Sequence, residues 1–525
     1  MFLTLSFVLF FGCLLTSAAL TPLAMRFARR VGAVDKGGYR KAYRGDIPLL
    51  GGLAIAIPLI GLCLAAGVAG HFIFRNWQWV WTHHRESFDF LYTLAGFRDA
   101  NITLAVGGIA IVALGVVDDI KTLKARWKLL GQIFIAVFVC LSGNVLTTVT
   151  IPILGVVNLG PWVGGVLTML WIVGLINAFN LIDGVDGLAT GIALVGAMAL
   201  IALGILQDTP LVAIAGVALA GSLTAFLLYN FPPAWVFLGD TGSMFLGYTL
   251  AMMSLIGAHK SEAAVIVIAP ILALSFPLFE TLLSIVRRYL RGVPVFAGDN
   301  RHTHHRLLRK GYSQPKVVLT LWGTGLCLAS AGVLLASIPE NSPWAWTPYA
   351  LYVGTLVNIV WLAGYLRPAN FKAMLERRNR NRIFQALRRY VRLRIAAGLQ
   401  PMEMSMLLEL CCHELGLNSM EIRIREGARL VAFPPMLAPG ANQSDAQELL
   451  VKSSDGQDIL LFCEFKVSPG HARLQDVFFC LAGIFDGLSI NANVRAWDIG
   501  YGLAAEGTES NLVSFRPAEK RGARE

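Results

Sequence analysis

The residues with chemistry to offer are acids set into apolar sequence. Asp118 and Asp119 stand side by side at the end of one apolar run. Asn177, Asn180, Asp183 and Asp186 follow at spacings of three in Asn177-Ala-Phe-Asn180-Leu-Ile-Asp183-Gly-Val-Asp186-Gly. Asp240 lies in Phe237-Leu-Gly-Asp240-Thr-Gly-Ser243. A spacing of three puts side chains on one face wherever the segment is helical. An acid at a membrane edge is costly and usually functional. The plain alternative is an acid that merely ends a helix in water, and five acids in glycine-rich contexts weigh against it. The glycines beside Asp183, Asp186 and Asp240 let backbone come close to a ligand. A helix start suits phosphate, but an aspartate there does not, unless a cation lies between them. Carboxylates, phosphate and a hard divalent ion together make a magnesium arrangement.

A second cluster is basic: Asp299-Asn-Arg301-His302-Thr-His304-His305-Arg306. Three histidines so close could bind a transition metal, but they lack an i, i+4 spacing and no cysteine is near. Phosphate binding by Arg301, His302, His304 and His305 is the better reading, with a solvated basic loop as the alternative. Glu280 precedes Arg287 and Arg288 at a spacing that also suits an ordinary structural ion pair.

The elements that must hold these residues are membrane spans. The chain has 525 residues, of which 55% are hydrophobic and 15% charged, with a mean hydropathy of +0.61. The apolar residues come in blocks about 20 long, the length of a membrane-crossing helix. A soluble globular enzyme and a disordered or fibrous chain are excluded. Eleven spans are expected, at 2–25, 49–69, 102–117, 128–147, 162–182, 188–206, 211–229, 241–257, 263–286, 317–338 and 346–366. A signal peptide carries Lys or Arg before its apolar core. Here the first are Arg26, Arg29 and Arg30, so a retained helix with its N-terminus outside is expected. Alternate loops then hold 29 Lys and Arg, against four on the other side, and the richer side is cytoplasmic by the positive-inside rule. All the acids above fall on that side. The outer loop 70–101, with Trp77, Trp79 and Trp81, reads as an interfacial segment, and 145–161 as a short hairpin. The eight cysteines form no C-x-x-C pair and read as buried free thiols.

Residues 370–525 hold 20 Lys and Arg against 18 Asp and Glu. They read as a soluble, nearly neutral tail. A basic linker helix is expected first, over 367–400, running along the anionic membrane surface. An α+β domain over 401–525 follows, with helices near 402–416 and 471–490. Alternation predicts strands at 421–425 and 457–466, with a turn at Asp455-Gly456. This pattern resembles a GAF-like sensor domain. The fold class is therefore an all-α polytopic membrane protein, residues 1–366, with a cytoplasmic α+β domain at its C-terminus. A transporter or lipid flippase with a regulatory tail is the alternative of another class, but its acids would sit near the midplane.

The motifs resemble those of the polyprenyl-phosphate N-acetylhexosamine-1-phosphate transferases. The matching pieces are Asp35…Arg40-Lys41…Ile47-Pro48-Leu-Leu-Gly51-Gly52, Val117-Asp118-Asp119, the Asn177–Gly187 motif, Gly239-Asp240-Thr-Gly-Ser243 and His302-Thr-His304-His305. They occur in the family's order, and the histidine loop resembles the amino-sugar branch rather than the muramoyl-pentapeptide branch. The resemblance implies transfer of a HexNAc-1-phosphate, GlcNAc first among candidates, from a UDP-N-acetylhexosamine to undecaprenyl phosphate. UMP would leave and a cell-surface polysaccharide would begin. It implies Mg²⁺, with Mn²⁺ as a substitute, a bacterial inner membrane, lipid around the spans, no nucleic acid, and room for a homodimer. By the same resemblance Asp240 is a magnesium ligand with Asn180, Asp119 a supporting acid, and Asp118 the base on the lipid phosphate. Asn177, Asn180, Asp183 and Asp186 would belong to the nucleotide pocket, and Phe237 would stack on uracil. Arg44, Lys121, Arg301, His302, His304 and His305 would hold phosphates.

Overall fold

The computed structural model describes residues 2–35, 46–83, 98–151, 155–259, 268–291, 302–339 and 341–364, with scattered helical residues between 382 and 410 and strands between 417 and 465. Two compact units are present. One comprises 1–285 with 298–366, the other 286–297 with 367–525.

The first unit is a helical bundle. Its helices are α1 (Phe2–Val31), α2 (Gly52–Arg75), α3 (Trp77–His83), α4 (Arg98–Lys121), α5 (Ala125–Leu141), α6 (Gly160–Ile182), α7 (Leu188–Leu206), α8 (Pro210–Asn230), α9 (Gly239–His259), α10 (Ile268–Ala273), α11 (Ser275–Arg291, which runs past this unit), α12 (Thr303–Arg309), α13 (Gln314–Ser337) and α14 (Thr347–Leu362). Prolines in the first turns of α6, α8, α13 and α14 start those helices, where a missing N–H costs nothing. Among the described residues seven helices (α1, α2, α4, α6, α7, α8 and α13) are long and apolar enough to cross a membrane. Large apolar side chains such as Phe7, Leu15, Phe134 and Leu170 point outward and exposed, as a bilayer requires.

Three expectations change. The span expected over 128–147 starts earlier and ends at Leu141. It stops where Gly143 turns with φ +85°. In its described part, from Ile268, the span expected over 263–286 is two helices, α10 and α11, meeting at Leu274. The Ser275 hydroxyl donates to the Leu272 carbonyl at the break (2.7 Å). The interfacial segment contains a helix of its own, α3, with Trp77, Trp79 and Trp81 exposed. The hairpin expected within 145–161 forms from β3 (Thr148–Ile151) and β4 (Gly155–Asn158), paired antiparallel.

Helix α9 is the buried centre of the bundle, packed against α2, α4, α6, α7 and α8. Close approach to α4 depends on Gly115, where a Cβ would run into the Thr241 backbone. Around α9 lies a continuous apolar core that includes Ile111, Ile172, Leu175, Phe179, Phe226, Phe245 and Tyr248. Two short strands, β1 (Val34–Asp35) and β2 (Ile47–Pro48), pair antiparallel before α2. The Phe237 N–H donates to the Pro48 carbonyl (2.9 Å), and the Gly51 and Gly52 N–H groups donate to the carbonyls of Phe237 and Leu238. The start of α9 is thereby tied to the start of α2.

In the second unit a four-stranded antiparallel sheet has the order β6-β5-β8-β7. Its strands are β5 (Leu417–Glu426), β6 (Arg429–Ala432), β7 (Ala446–Lys452) and β8 (Asp458–Phe465). Met420, Ile422 and Ile424 of β5 pair with Cys463, Leu461 and Ile459 of β8. The pairing Lys452↔Asp458 brackets Asp455-Gly456, which lies outside the described residues, as do the helix expected over 471–490 and all of that near 402–416 except Leu410. Strands β6 and β7 were not expected; they complete the sheet on its two sides.

Candidate active site

The site is built where helix ends meet on one face of the bundle. Helix α4 ends in Asp118, Asp119, Ile120 and Lys121. Thr122 then turns left-handed at φ +48°, a strained conformation for a β-branched residue. The Leu123 N–H donates to Asp118 Oδ1 (2.6 Å), which ties the strained turn back to the helix.

Asp119 acts on a different helix. Its carboxylate accepts from the Asp240 N–H (2.8 Å), the Thr241 N–H (3.0 Å) and the Thr241 hydroxyl (2.6 Å). These N–H groups have no partner inside α9, and a negative charge at a helix N-terminus is favourable. Asp119 therefore caps α9 from outside and fixes how Asp240 leaves the backbone. Gly239, at φ +71°, allows the approach, because a Cβ there would strike the Leu49 carbonyl and crowd Asp119.

Lys128, in the first turn of α5, joins the two remaining acids. Its ammonium lies 2.6 Å from Asp118 Oδ2 and is also ion-paired to Asp240 Oδ2. Asp240 Oδ1 accepts from the Asn180 side-chain amide, which also donates to the Ser243 hydroxyl (3.0 Å). Four helices thus converge: α4 with Asp118, α5 with Lys128, α6 with Asn180 and α9 with Asp240. The Asp118 side chain is only 5% exposed and that of Asp240 28%, so Asp240 is the acid a ligand from water can reach. Two carboxylates about one ammonium leave a negative charge that the ammonium does not balance. A further cation, or a proton shared by the two acids, would balance it.

The other expected residues are distributed as follows. Asn177 lies one turn below Asn180 and donates to Gln132 Oε1 (2.6 Å) and the Val173 carbonyl (2.8 Å). Asp183 caps the C-terminus of α6. Asp186 is buried and accepts from the Ala234 N–H (3.1 Å), bracing the segment that leads to α9. Phe237 holds its place through the backbone bonds to Pro48 and Gly51. Lys121 is exposed in the last turn of α4. His302, His304 and His305 cluster at the start of α12, with ring centroids 4.3 to 6.4 Å apart. The His304 ring stands beside Gly184, where a Cβ would come within 3.0 Å of its Nε2. This brings the histidines to the loop of Asp183 and Asp186. Buried Glu280 accepts from the Thr303 N–H (3.2 Å). Arg44 and Arg301 lie outside the described residues. Sequence reasoning missed Lys128, Thr241 and Gln132. Only the three-dimensional convergence distinguishes Lys128 from its neighbours Lys121, Lys124 and Arg126.

Among the described residues no group of three or more His, Cys, Asp or Glu side chains is arranged to hold a metal. Magnesium seldom needs such a cage: it takes one or two carboxylates and completes its shell with substrate phosphates and water. Asp240, partly exposed and held by the Asn180 amide, fits that donor set.

The sequence profile of glycosyl transferase family 4 matches residues 101–258, the stretch from α4 to α9 that carries Asp118, Asp119, Lys128, Asn180 and Asp240. A Bacillus subtilis protein described as a probable undecaprenyl-phosphate N-acetylglucosaminyl 1-phosphate transferase is 35% identical over 332 residues, covering 63% of this chain and 85% of that protein. A Mycobacterium tuberculosis decaprenyl-phosphate N-acetylglucosaminephosphotransferase is 31% identical over 334 residues, covering 59% of this chain and 77% of that protein. A phospho-N-acetylmuramoyl-pentapeptide-transferase of Desulforudis audaxviator is 34% identical over 258 residues, covering 46% of this chain and 75% of that protein. With relatives of this identity spanned over most of their length, the chain belongs to glycosyl transferase family 4, among the polyprenyl-phosphate N-acetylhexosamine-1-phosphate transferases.

Proposed function

We propose that the protein transfers N-acetylglucosamine-1-phosphate from UDP-GlcNAc to undecaprenyl phosphate in a bacterial inner membrane, releasing UMP on the cytoplasmic side. The observation that carries this reading is the meeting of Asp118, Lys128, Asn180 and Asp240 at one end of the bundle. Phosphoryl transfer between two anionic substrates needs positioning and charge neutralisation more than covalent work, and these residues offer both. Acids at one end of the helices suit chemistry at a membrane face better than a transport path through its middle.

Magnesium, when bound, neutralises the donor diphosphate and the charge that develops on transfer. Asp240 and Asn180 are the residues that would hold it. Asp119 does no chemistry on the substrate; it aims Asp240 through the cap on α9. Asp118 takes the proton from the lipid phosphate at Oδ2, the oxygen that holds Lys128. Lys128 must therefore shift toward a phosphate as Asp118 accepts the proton, so the two groups exchange partners. Asn180, Asp183 and Asp186 line the nucleotide pocket and Phe237 stacks on uracil. Arg44, Lys121, Arg301 and the three histidines hold phosphates.

The choice of GlcNAc is supported by the names of the Bacillus subtilis and Mycobacterium tuberculosis relatives, whose matches cover more of this chain than that of the muramoyl-pentapeptide enzyme. The test is a donor panel with undecaprenyl phosphate, reading UMP. UDP-GlcNAc is expected to turn over fastest, with UDP-GalNAc slower. Turnover of the muramoyl-pentapeptide donor alone would overturn the assignment.

A further inference from the structure

We propose that Gln132 is a positioning residue, part of a polar staple one helical turn beneath the acids that sets where Lys128 reaches. The proposal rests on the reading of the site given above. Three of the helices that supply the site supply a second layer below it. On α5, Gln132 follows Lys128 by four residues. On α6, Asn177 precedes Asn180 by three. On α9, Met244 follows Asp240 by four. Each spacing keeps both members on one helix face. The upper layer is Lys128 and Asn180 on Asp240. In the lower layer the Asn177 amide donates to Gln132 Oε1 (2.6 Å), and the Gln132 amide donates to Met244 Sδ (3.4 Å).

The lower layer has a task that apolar packing cannot perform. Gln132 is fully buried, whereas its neighbours Ile133 and Phe134 on α5 are exposed. The outward face of α5 is apolar and meets hydrocarbon, and lipid tails are as apolar as leucine, so that face gives α5 no preferred rotation. A directional bond does. An amide left unpaired in hydrocarbon is costly, so the staple favours the one rotation in which Gln132 meets Asn177 and Met244. Lys128 lies on the same face one turn above, and that rotation delivers its ammonium to the acids. Asn177 acts through this bond on the placement of Asn180 and Lys128.

The test uses the full-length chain in lipid nanodiscs and the variant Gln132→Met, which keeps length and apolar fit and removes both hydrogen bonds. The first readout needs no turnover: reductive methylation with formaldehyde and cyanoborohydride, followed at each lysine by mass spectrometry. An ion-paired ammonium reacts slowly, so Lys128 is expected to be protected relative to exposed Lys121 and Lys124. In Gln132→Met, Lys128 should label several-fold faster while Lys121 and Lys124 are unchanged. The second readout is kinetic. Release of UMP should fall about tenfold in kcat, since small misplacements at a reacting centre carry such costs, while the donor KM stays within about twofold of wild type. The double variant Gln132→Met/Asn177→Leu should be no worse than the more severe single, because both break one bond. If Gln132→Met does not fold, Asn177→Leu removes the same bond from the α6 side and is expected to expose Lys128 to labelling in the same way. Unchanged labelling of Lys128, an unchanged kcat, or additive losses in the double variant would overturn the staple. A wild-type chain that released no UMP would instead defeat the proposed function, and the labelling would still decide the staple.

Discussion

Each acid at the site has a different local duty, and substitutions should separate them. Asp119 caps α9 with three accepted bonds. Asp119→Ala should cost about 1 kcal/mol of stability, whereas Asp119→Asn should keep most of the cap; thermal unfolding of the solubilised protein measures both. Lys128 is the cation between Asp118 and Asp240. Lys128→Met leaves buried Asp118 and half-buried Asp240 without their shared cation and should lower UMP release by at least about tenfold, or roughly 1.4 kcal/mol on the barrier. Lys128→Arg should recover only part, because a planar fork does not replace a point charge. The acids could be read from sequence because a carboxylate inside apolar sequence stands out, and glycines mark Asp183, Asp186 and Asp240. Lys128 could not, since a lysine in a basic loop looks like its neighbours until α5 is packed. Gln132 was hidden for the opposite reason: one amide in an apolar run leaves the run apolar.

The helices bring these residues together only if they pack closely. Helix α4 meets α9 at Gly115, and α2 meets it beside Asp240 through the backbone bonds of Phe237 and Leu238. Gly115→Val should push α4 from α9, cost about 1–3 kcal/mol by overpacking, and abolish turnover. Gly61→Ala, on an open face of α2 with nothing within 4 Å, should be tolerated or slightly stabilising, since alanine is the better helix former. Stability and UMP release of the two variants provide the comparison. Apolar blocks in the sequence located the helices, but hydropathy averages over their ends. The Ser142-Gly143-Asn144 run was a readable stop for α5 that a 20-residue window passes over. The break between α10 and α11 is carried by Ser275 and flanking Pro270 and Pro277 inside an otherwise apolar stretch, and tertiary packing decides it.

At the scale of the whole chain the bundle and the C-terminal unit are separable in composition and in compactness. Every motif of the site lies upstream of residue 366. Truncation after about residue 370 should therefore leave UMP release measurable in a correctly inserted protein; complete loss would mean that the tail helps form the site. The charge asymmetry of the loops predicts a cytoplasmic tail, so a C-terminal reporter active only in the periplasm should stay silent. Loop charge is the sequence feature on which the expected orientation rests. The tail was less legible, because short strands such as β6 and β7 carry mixed polar and apolar residues, and only pairing with β5 and β8 identifies them.

The central claim is that Asp240 and Asp118 serve one divalent cation and one proton at a phosphoryl-transfer site. The measurement that bears on it most directly is a magnesium titration of UMP release from UDP-GlcNAc by wild type, Asp240→Asn and Asp118→Asn. Asp240→Asn keeps the shape and removes one charge. Its rate should fall by at least about a hundredfold, roughly 2.7 kcal/mol on the barrier, and high magnesium should restore part of it, since weaker affinity is answered by concentration. Asp118→Asn should fall as far and gain nothing from magnesium, because metal does not replace a base. A near-wild-type Asp240→Asn would mean that Asp240 only begins a helix, where asparagine serves as well, and would contradict the account.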